Sequence, residues 1–573
     1  PLFLDMRQIP TRFLTVAMLL LSATAFAQHV PQTTYRPAAD APAWVQLMYS
    51  EGASYEAVRS AYEAYYADHA FVKNRDTQFY KRWMRNAELP APQVSHAYAV
   101  AHAEAANRLT GEWEEMGPWS YDPEVAMQFQ VQSPGACHVY TVEQSASNHE
   151  VVWCGTATAG AWKSEDHGAH WELMTRDLPL TSVYSVAIHP LDPDNVFVGS
   201  GSGQLWRTTD GGLTWEECGN STFQGADRWY RDVIFSPAVE GEPQLFAATN
   251  YGLFRSEDGG ETTTSTADDA DVEASGEYME LAFHPTDPSI CYTIQLLGES
   301  TVFKRSTDGG ASFATGASGW PSVGSDDGQR RCELAVTPAD PDRVVVLAAG
   351  STANGGGLYG MYQSYDAGEN FEFMCCGSGP GGPWEAGTNP NILGWSEDGS
   401  GDGGQYYYDL ALDVSPTDAD RQFAAGICVW RSETGGADWS LNGHWVTWAG
   451  EFTADRYTHA DVHDIQFFTR ADGTVDMWVA SDGGLYYSAD EGDHMEPRMY
   501  GLHGTDFWGW QAGWRGPDVM VGGTYHNGTL IRNADLYHWG ADEDSSGGWL
   551  AELAGDNFRG FINPGDATRG YHD

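Results

Sequence analysis

Short runs rich in valine, isoleucine and aromatic residues recur along most of the chain, and turn-forming residues separate them. In residues 182–217, "SVYSVAIHP" is followed by the turn "LDPDN", by "VFVGSG", by "GQLWRTT", by a second turn "DGG" and by "LTWEE". Runs of this length, bounded in this way, are typical of β-strands joined by tight turns. Similar series start at residues 278, 332 and 408. The pattern therefore predicts units of four short antiparallel strands.

One nonapeptide marks each unit, and its clearest copy is "RTTDGGLTW" at residues 207–215. Seven copies occur at steps of 44 to 68 residues, with equivalent positions at Asp166, Asp210, Asp258, Asp308, Asp366, Thr434 and Asp490. A repeat of about this length with four strands per unit is typical of a propeller blade. We therefore predict an all-β β-propeller of four-stranded blades, with seven or more blades and an incomplete C-terminal end.

The nonapeptide is predicted to form the turn between the third and fourth strands of a blade. Its aspartate can accept hydrogen bonds from backbone N–H groups of its own turn. Its glycines can take positive φ angles at little cost, and its last aromatic residue is expected to pack between neighbouring blades. On this interpretation the repeated aspartates have a structural role and take no part in chemistry.

A different pattern precedes the repeats. From Met6 the chain has basic residues, then an apolar run, then "AFA" ending at Ala27, which is the pattern of a signal peptide. Beyond it, Val58 and Tyr62 recur with other tyrosines at helical spacing. We predict upstream residues and a signal peptide over 1–27, a small helical region with a linker over 28–105, and the propeller over 106–573. The mature protein is then secreted or attached to the cell surface, through a missing C-terminal region in the second case.

The charge of the chain narrows the choice of partners. The sequence has 80 acidic and 30 basic residues, for a formal net charge of -50. Such a field repels phosphate backbones and anionic lipids, so nucleic acid is excluded as a partner. Beyond the signal peptide, no stretch is long and apolar enough to span a membrane. The acidic composition is consistent either with ordinary solubility or with adaptation to a high salt concentration.

The sharpest candidate site is "THADVHD" at residues 458–464. On a strand, His459, Asp461 and His463 would project from one face, where they could bind zinc or simply line the central channel. A zinc site would need a further ligand, and Asp482 or His526 is the expected source. Asn527 joins these five residues as a channel candidate. The acidic segments 396–404 and 541–548 suit calcium or are solvated loops.

Several segments resemble a family of secreted bacterial proteins. They are "WEEMGPW" (113–119), "GTATAGAWKSEDHG" (155–168), "GGQYYYDLALDVSP" (403–416), "GICVWRSETGG" (426–436), "HADVHDIQF" (459–467) and "ASDGGLYYSAD" (480–490). They look like segments of sortilin-like propellers with VPS10 or BNR repeats. The repeated nonapeptide of that family is called the Asp box. Many members of the family are exported by a type IX system. A departure is "TYHNGT" (524–529), where the family has Gln-Asp in place of Tyr525 and His526.

The resemblance implies an exported propeller that binds an extracellular peptide or carbohydrate in its channel or on its rim without catalysis. Two alternatives stay open on the same fold. One is a glycoside hydrolase of sialidase or endoglucanase type, although no arginine motif of a sialidase is visible and no catalytic residue can be named. The other is a structural adhesin module.

Overall fold

The computed structural model describes most of the chain after residue 132 and parts of the chain before it. The described residues are 37, 41–50, 54–73, 76–77, 80–81, 116–121, 126, 131, 133–218, 229–237, 243–257, 264–265, 276–298, 300–320, 329–350, 357–376, 390–446, 454–513, 519–533, 549–553, 555–563 and 566–572. The predicted signal peptide, Asp258 and the acidic segment 541–548 lie outside them. Two compact units are present, Pro1–Glu114 and Glu115–Asp573.

The first unit contains helices α1 (Ala43–Met48) and α2 (Tyr55–Asp68). Ser54 caps α2 by accepting a hydrogen bond from the backbone N–H of Ala57. The helices pack around Trp44 and Val58, which are both buried. The periodicity of residues 55–66 thus predicted a helix that is present. No helix among the described residues is long and apolar enough to cross a membrane.

Within its described residues, the second unit contains antiparallel sheets, eight of them four-stranded. The first sheet has β1 (Val139–Gln144), β2 (Val152–Thr156), β3 (Ala161–Ser164) and β4 (Glu172–Leu173). The second has β5 (Val183–His189), β6 (Asp192–Ser200), β7 (Leu205–Thr208) and β8 (Glu216–Glu217). The third has β9 (Tyr230–Phe235), β10 (Leu245–Thr249), β11 (Gly252–Ser256) and β12 (Thr264–Ser265). The fourth has β13 (Glu277–Phe283), β14 (Cys291–Leu297), β15 (Ser300–Ser306) and β16 (Ala314–Thr315).

The later sheets repeat this arrangement. The fifth has β17 (Gln329–Thr337), β18 (Asp340–Gly350), β19 (Leu358–Ser364) and β20 (Glu372–Cys375). The sixth has β21 (Ala411–Val414), β22 (Gln422–Ala425), β23 (Val429–Ser432) and β24 (Ser440–Gly443). The seventh has β25 (Val462–Thr469), β26 (Val475–Ser481), β27 (Gly484–Ser488) and β28 (Glu496–Pro497). An eighth has β29 (Phe507–Ala512), β30 (Val519–Thr524), β31 (Thr529–Asn533) and β32 (Trp549–Leu553), and a hairpin of β33 (Gly560–Asn563) and β34 (Asp566–His572) follows.

The first seven sheets are the blades of a closed ring. Their first strands, β1, β5, β9, β13, β17, β21 and β25, contact one another in this order, and β25 contacts β1. Each blade pairs its four strands in chain order, as the pattern in residues 182–217 predicted. The hairpin β33–β34 packs on the eighth sheet, outside this ring. The fold is therefore a β-propeller.

The repeated nonapeptide forms the turn between the third and fourth strands, and a hydroxyl lies at its centre. Thr208 is buried, donates a hydrogen bond to Asp210 at 2.8 Å, and accepts one from the backbone N–H of Gly212 at 2.8 Å. Asp210 in turn accepts a bond from the backbone N–H of Thr214. The indole of Trp215 donates to the carbonyl of Met174 in the preceding blade. The equivalent hydroxyls in other copies belong to Ser164, Ser306, Ser364, Ser432 and Ser488.

We expect Thr208→Val to lower the free energy of unfolding by about 1–3 kcal/mol, because it leaves the buried Gly212 N–H without an acceptor. Thr214→Val is the matched control, since the Thr214 hydroxyl bonds to the same Asp210 but is exposed. Chemical denaturation of both variants measures the difference. Equal losses in the two variants would contradict the central role of the buried hydroxyl.

A buried carboxylate joins the last blade of the ring to the first. Asp476 of β26 receives two bonds of 2.6 Å from Arg470 and one of 2.8 Å from Tyr487, all within the seventh blade. From the first blade, Gln144 donates to Asp476 at 2.8 Å, and the Nε2 atom of His167 lies at 3.2 Å. This network joins the two blades through side chains, in addition to the contacts of β1 with β25 and β26.

Candidate functional site

The seven first strands enclose a cavity of about 520 Å³, here called the channel cavity, and all of them contribute to its lining. Acidic side chains predominate among its charged groups, namely Glu143, Asp232, Glu280, Glu333, Asp413 and Asp464. Burial, together with neighbouring carboxylates, raises the pKa of Asp232, Asp413 and Asp464 to about 7. Burial likewise raises the pKa of Glu143 and Glu280 well above the ordinary value. At neutral pH the channel therefore carries less negative charge than its composition suggests.

A second cavity of about 470 Å³ lies beside the channel cavity, and Tyr407 and Tyr408 line both. We call it the aromatic pocket after its rings, which are Trp395, Tyr407, Tyr408, Trp445 and Tyr525. Trp395 is 51% exposed and Tyr407 is 72% exposed. Aromatic surface this open to solvent is available to a ligand.

Polar groups form most of the rest of the aromatic pocket, and its described lining residues include neither lysine nor arginine. Gln405 donates a hydrogen bond of 2.9 Å to the carboxyl group of Asp461. Burial raises the pKa of Asp461 well above its ordinary value, and Asp482 and Asp409 raise it further. His459 is almost fully buried, and its Nε2 atom has no hydrogen-bond partner among the described residues.

A cluster of three histidines surrounds the carboxylate of Asp482, which is completely buried. The Nε2 atoms of His138 and His463 lie 2.8 and 2.7 Å from one carboxylate oxygen. The Nδ1 atom of His526 lies 3.0 Å from the other oxygen. The hydroxyl of Tyr408 donates to the same carboxylate at 3.0 Å. We call His138, His463, His526 and Asp482 the histidine cluster.

The ionisable groups in and beside the histidine cluster have pKa values that are shifted in different directions. Burial opposes the charge of Asp482, but His138 and His463 outweigh burial and hold the pKa of Asp482 well below its ordinary value. Burial also opposes protonation of His138, yet Asp482 and Asp506 raise its pKa to about 9. Burial lowers the pKa of His463, and it lowers the pKa of His459 to about 4. One anionic carboxylate is thus paired with one charged imidazole.

The predicted alternation of His459, Asp461 and His463 on one strand face was wrong. Strand β25 begins at Val462, and Asp461 has a φ angle of 61°, which no strand residue adopts. Of these three residues, His463 contacts the Asp482 carboxylate at 2.7 Å, whereas the backbone carbonyl of Asp461 accepts a bond of 3.2 Å from the Asp482 N–H. The side chains that bring ligand atoms within 4.8 Å of one another are instead His138, Asp482 and His526.

Glycine allows His459 its buried position. A Cβ atom on Gly483 would overlap the ring of His459, so this glycine of "SDGG" is required by space. Gly484, in contrast, has a φ angle of 134°.

Asn527 donates to the backbone carbonyl of Asp482 at 2.9 Å and holds the loop after β30 against the cluster. Asp398 of the acidic segment 396–404 accepts a bond from Ser400 within its own turn.

Sequence reasoning missed His138, Tyr408 and Trp395. His138 precedes β1, Tyr408 precedes β21, and both are near in space only because the ring closes. A signal was present for Tyr408, since "YYY" at residues 406–408 is an unusual aromatic run directly before a strand. No local pattern distinguishes His138 from the other histidines of the chain.

Comparisons with known proteins find similarity only in structure. No family model and no curated protein matches this sequence. A GH74 xyloglucanase from Xanthomonas campestris is 16% identical over 74% of this chain and 68% of its own, with a TM-score of 0.49. An ancestral GH74 enzyme is 14% identical over 74% of this chain and 54% of its own, also at 0.49. The protein YCF48 bound to D1 peptide is 17% identical over 62% of this chain and 94% of its own, at 0.40. These values are too low to say anything about function.

Proposed function

We propose that this protein is an exported propeller that binds a neutral carbohydrate in the aromatic pocket. The observation that carries the proposal is that exposed rings, those of Trp395 and Tyr407, share one cavity with polar groups. These are the half-buried Gln405 and the buried His459 and Asp461. Aromatic faces suit the apolar faces of sugar rings, and a few convergent polar groups fix a ligand's orientation.

The charge of the pocket favours this class of ligand over others. Asp461 and Asp556 line it, and its described lining residues include no lysine or arginine to pair with an anion. Sialic acids, uronic acids and phosphorylated sugars are therefore disfavoured, because burying their charge without a partner is costly. A neutral hexose or a short chain of hexoses can stack on the aromatic rings and form hydrogen bonds with the polar groups.

We expect Trp395→Ala to weaken carbohydrate binding about tenfold, which corresponds to about 1.4 kcal/mol. Trp510→Ala is the matched control, because Trp510 is 61% exposed but does not line the pocket. A glycan array first selects the ligand, and titration calorimetry then compares both variants with the unaltered protein. Equal affinities of the two variants, or an array without any bound neutral glycan, would overturn the proposal.

Hydrolysis of a glycosidic bond is the second candidate. The observation in its favour is that two carboxylates, Asp461 and Asp556, line one cavity, and glycoside hydrolases use a pair of carboxyl groups. Incubation with chromogenic glycosides of the sugars selected by the array separates the two functions. Release of the chromophore supports hydrolysis, and binding without release leaves a carbohydrate-binding protein.

Export to the cell surface or the medium, and membership of the sortilin-like family, belong to the same proposal. They are supported by the signal-peptide pattern ending at Ala27 and by the segments that resemble that family. A peptide ligand or a purely structural adhesin is the outcome if the array stays empty. Detection of the mature N-terminus by mass spectrometry of the culture medium tests export.

A further inference from the structure

We propose that His138, Asp482 and His526 form a binding site for one divalent transition-metal ion, with zinc as the ion to be tested first. Two imidazoles and a carboxylate are ligands that zinc takes in proteins, where three protein ligands leave one position for water or substrate. The proposal rests on the geometry of the histidine cluster and is independent of the carbohydrate ligand.

The first support is the convergence of the ligand atoms. The Nε2 atom of His138 lies 2.8 Å from one oxygen of Asp482, the Nδ1 atom of His526 lies 3.0 Å from the other, and all three ligand atoms lie within 4.8 Å of one another. The residues come from three parts of the chain, namely the segment before β1, the turn after β26 and the turn after β30. These three segments meet in the folded chain, next to the Tyr408 hydroxyl.

The second support is the set of residues that orient the ligands. Nδ1 of His138 lies 3.8 Å from a carboxylate oxygen of Asp506, a charge contact rather than a hydrogen bond, so Nε2 is the atom that faces Asp482. His463 holds one oxygen of Asp482 at 2.7 Å, and Asn527 fixes its backbone carbonyl at 2.9 Å. Metal sites in proteins are surrounded by positioning residues of this kind.

The third support is burial and backbone strain. The carboxylate of Asp482 is completely buried and the side chain of His138 is 2% exposed, so water cannot solvate their charges. His526 has a φ angle of 68°, and its backbone N–H donates to Asp556 at 3.0 Å, which holds the residue in this unfavourable conformation. Strained residues held in this way cluster at ligand-binding sites.

Other histidine–aspartate pairs of the protein serve as a comparison. His170 with Asp166 and His494 with Asp490 are close pairs, but they are exposed and belong to the repeated turns. Among the described residues, the site around Asp482 brings together three such ligands. Because His526 also lines the aromatic pocket, an ion at this site would be reachable from that pocket.

The test is a titration of chelator-treated protein, without a histidine tag, with zinc chloride, followed by cobalt(II) as a spectroscopic probe. We expect one equivalent of zinc to bind, and cobalt to give visible absorption bands of a four- or five-coordinate site. His138→Gln and His526→Gln should each weaken binding by about a hundredfold or more, since each removes a ligand. His459→Gln is the control, because His459 is equally buried nearby but is not a ligand.

Circular dichroism and the melting temperature of each variant show whether it is folded. Folded glutamine variants that bind zinc as well as the unaltered protein would overturn the proposal, and so would the absence of binding at micromolar zinc. Loss of binding in folded His459→Gln to the same degree would also overturn it. Carbohydrate affinity, measured in the Trp395→Ala experiment, is a separate readout, so the two proposals can fail independently.

Discussion

Asp476→Ala is expected to lower the free energy of unfolding by about 3–5 kcal/mol, since removing one partner of a buried ion pair leaves the other uncompensated. Asp476 is fully buried and has two bonds of 2.6 Å from Arg470. Burial opposes its charge, but His167, Arg470 and other donors outweigh it and hold the pKa of Asp476 well below its ordinary value. The substitution also removes the acceptor for Gln144 of the first blade.

The effect should depend on pH in a defined direction. A carboxyl group whose pKa is lower in the folded than in the unfolded state stabilises the fold above the unfolded pKa, which is about 4. This stabilisation is lost as pH falls through the folded pKa, so the difference between Asp476→Ala and the unaltered protein should shrink in acid. Urea denaturation at several pH values measures it.

Asp472→Ala is the matched control, because Asp472 lies in the turn between β25 and β26 but is exposed. Its melting temperature should stay close to that of the unaltered protein. If Asp476→Ala were as stable as this control, the ring would not depend on the buried network for its closure.

The free energy of unfolding of Asp232→Asn, a variant in the channel cavity, should change with pH in the opposite direction relative to the unaltered protein. Burial, together with Asp464 and Glu333, raises the pKa of Asp232 to about 7. Between pH 4 and 7 the folded protein therefore keeps a proton that the unfolded chain releases, so stability falls as pH rises. Asparagine has no such proton and can still accept the bond of 3.0 Å from the backbone N–H of Leu281.

We expect the stability of Asp232→Asn relative to the unaltered protein to increase by about 1.4 kcal/mol for each pH unit across that window, up to about 4 kcal/mol in total. Ser185→Ala is the control, because Ser185 accepts the equivalent bond from Val233 in the neighbouring blade but does not titrate. Its loss of stability should be the same at every pH. A difference for Asp232→Asn that does not change with pH would contradict the raised pKa.

Local signals in the sequence were sufficient for the blades. The strands and turns predicted in residues 182–217 correspond to β5 to β8, and the nonapeptide lies between β7 and β8 as expected. These features depend on residues that are neighbours in the chain, such as Thr208, Asp210 and Gly212, whose hydrogen bonds close within one turn. Copies of the nonapeptide with similar residues therefore form similar turns.

The candidate site was only partly accessible in this way. The sequence pointed to His463, Asp482 and His526, because each belongs to a short polar motif next to a predicted strand. The sequence did not show how these side chains lie relative to one another. The prediction assumed a continuous strand through residues 459–463, but Asp461 has a positive φ angle and lies outside the strand. His138 and Tyr408 stand 270 residues apart, yet the Tyr408 hydroxyl lies 3.3 Å from Nε2 of His138 and both side chains contact the Asp482 carboxylate.

The amino-acid sequence by itself therefore determined the blade, its corner turn and the acidic character of the surface, because each follows from residue types at short spacing. Only the tertiary structure decided that seven blades close into one ring and that three distant histidines share one carboxylate. The first and last blades of the ring are joined by contacts such as the bond between Gln144 and Asp476, which are 332 residues apart. Contacts at such separation arise from the summed twist and packing of all the intervening blades, and no local pattern encodes that sum.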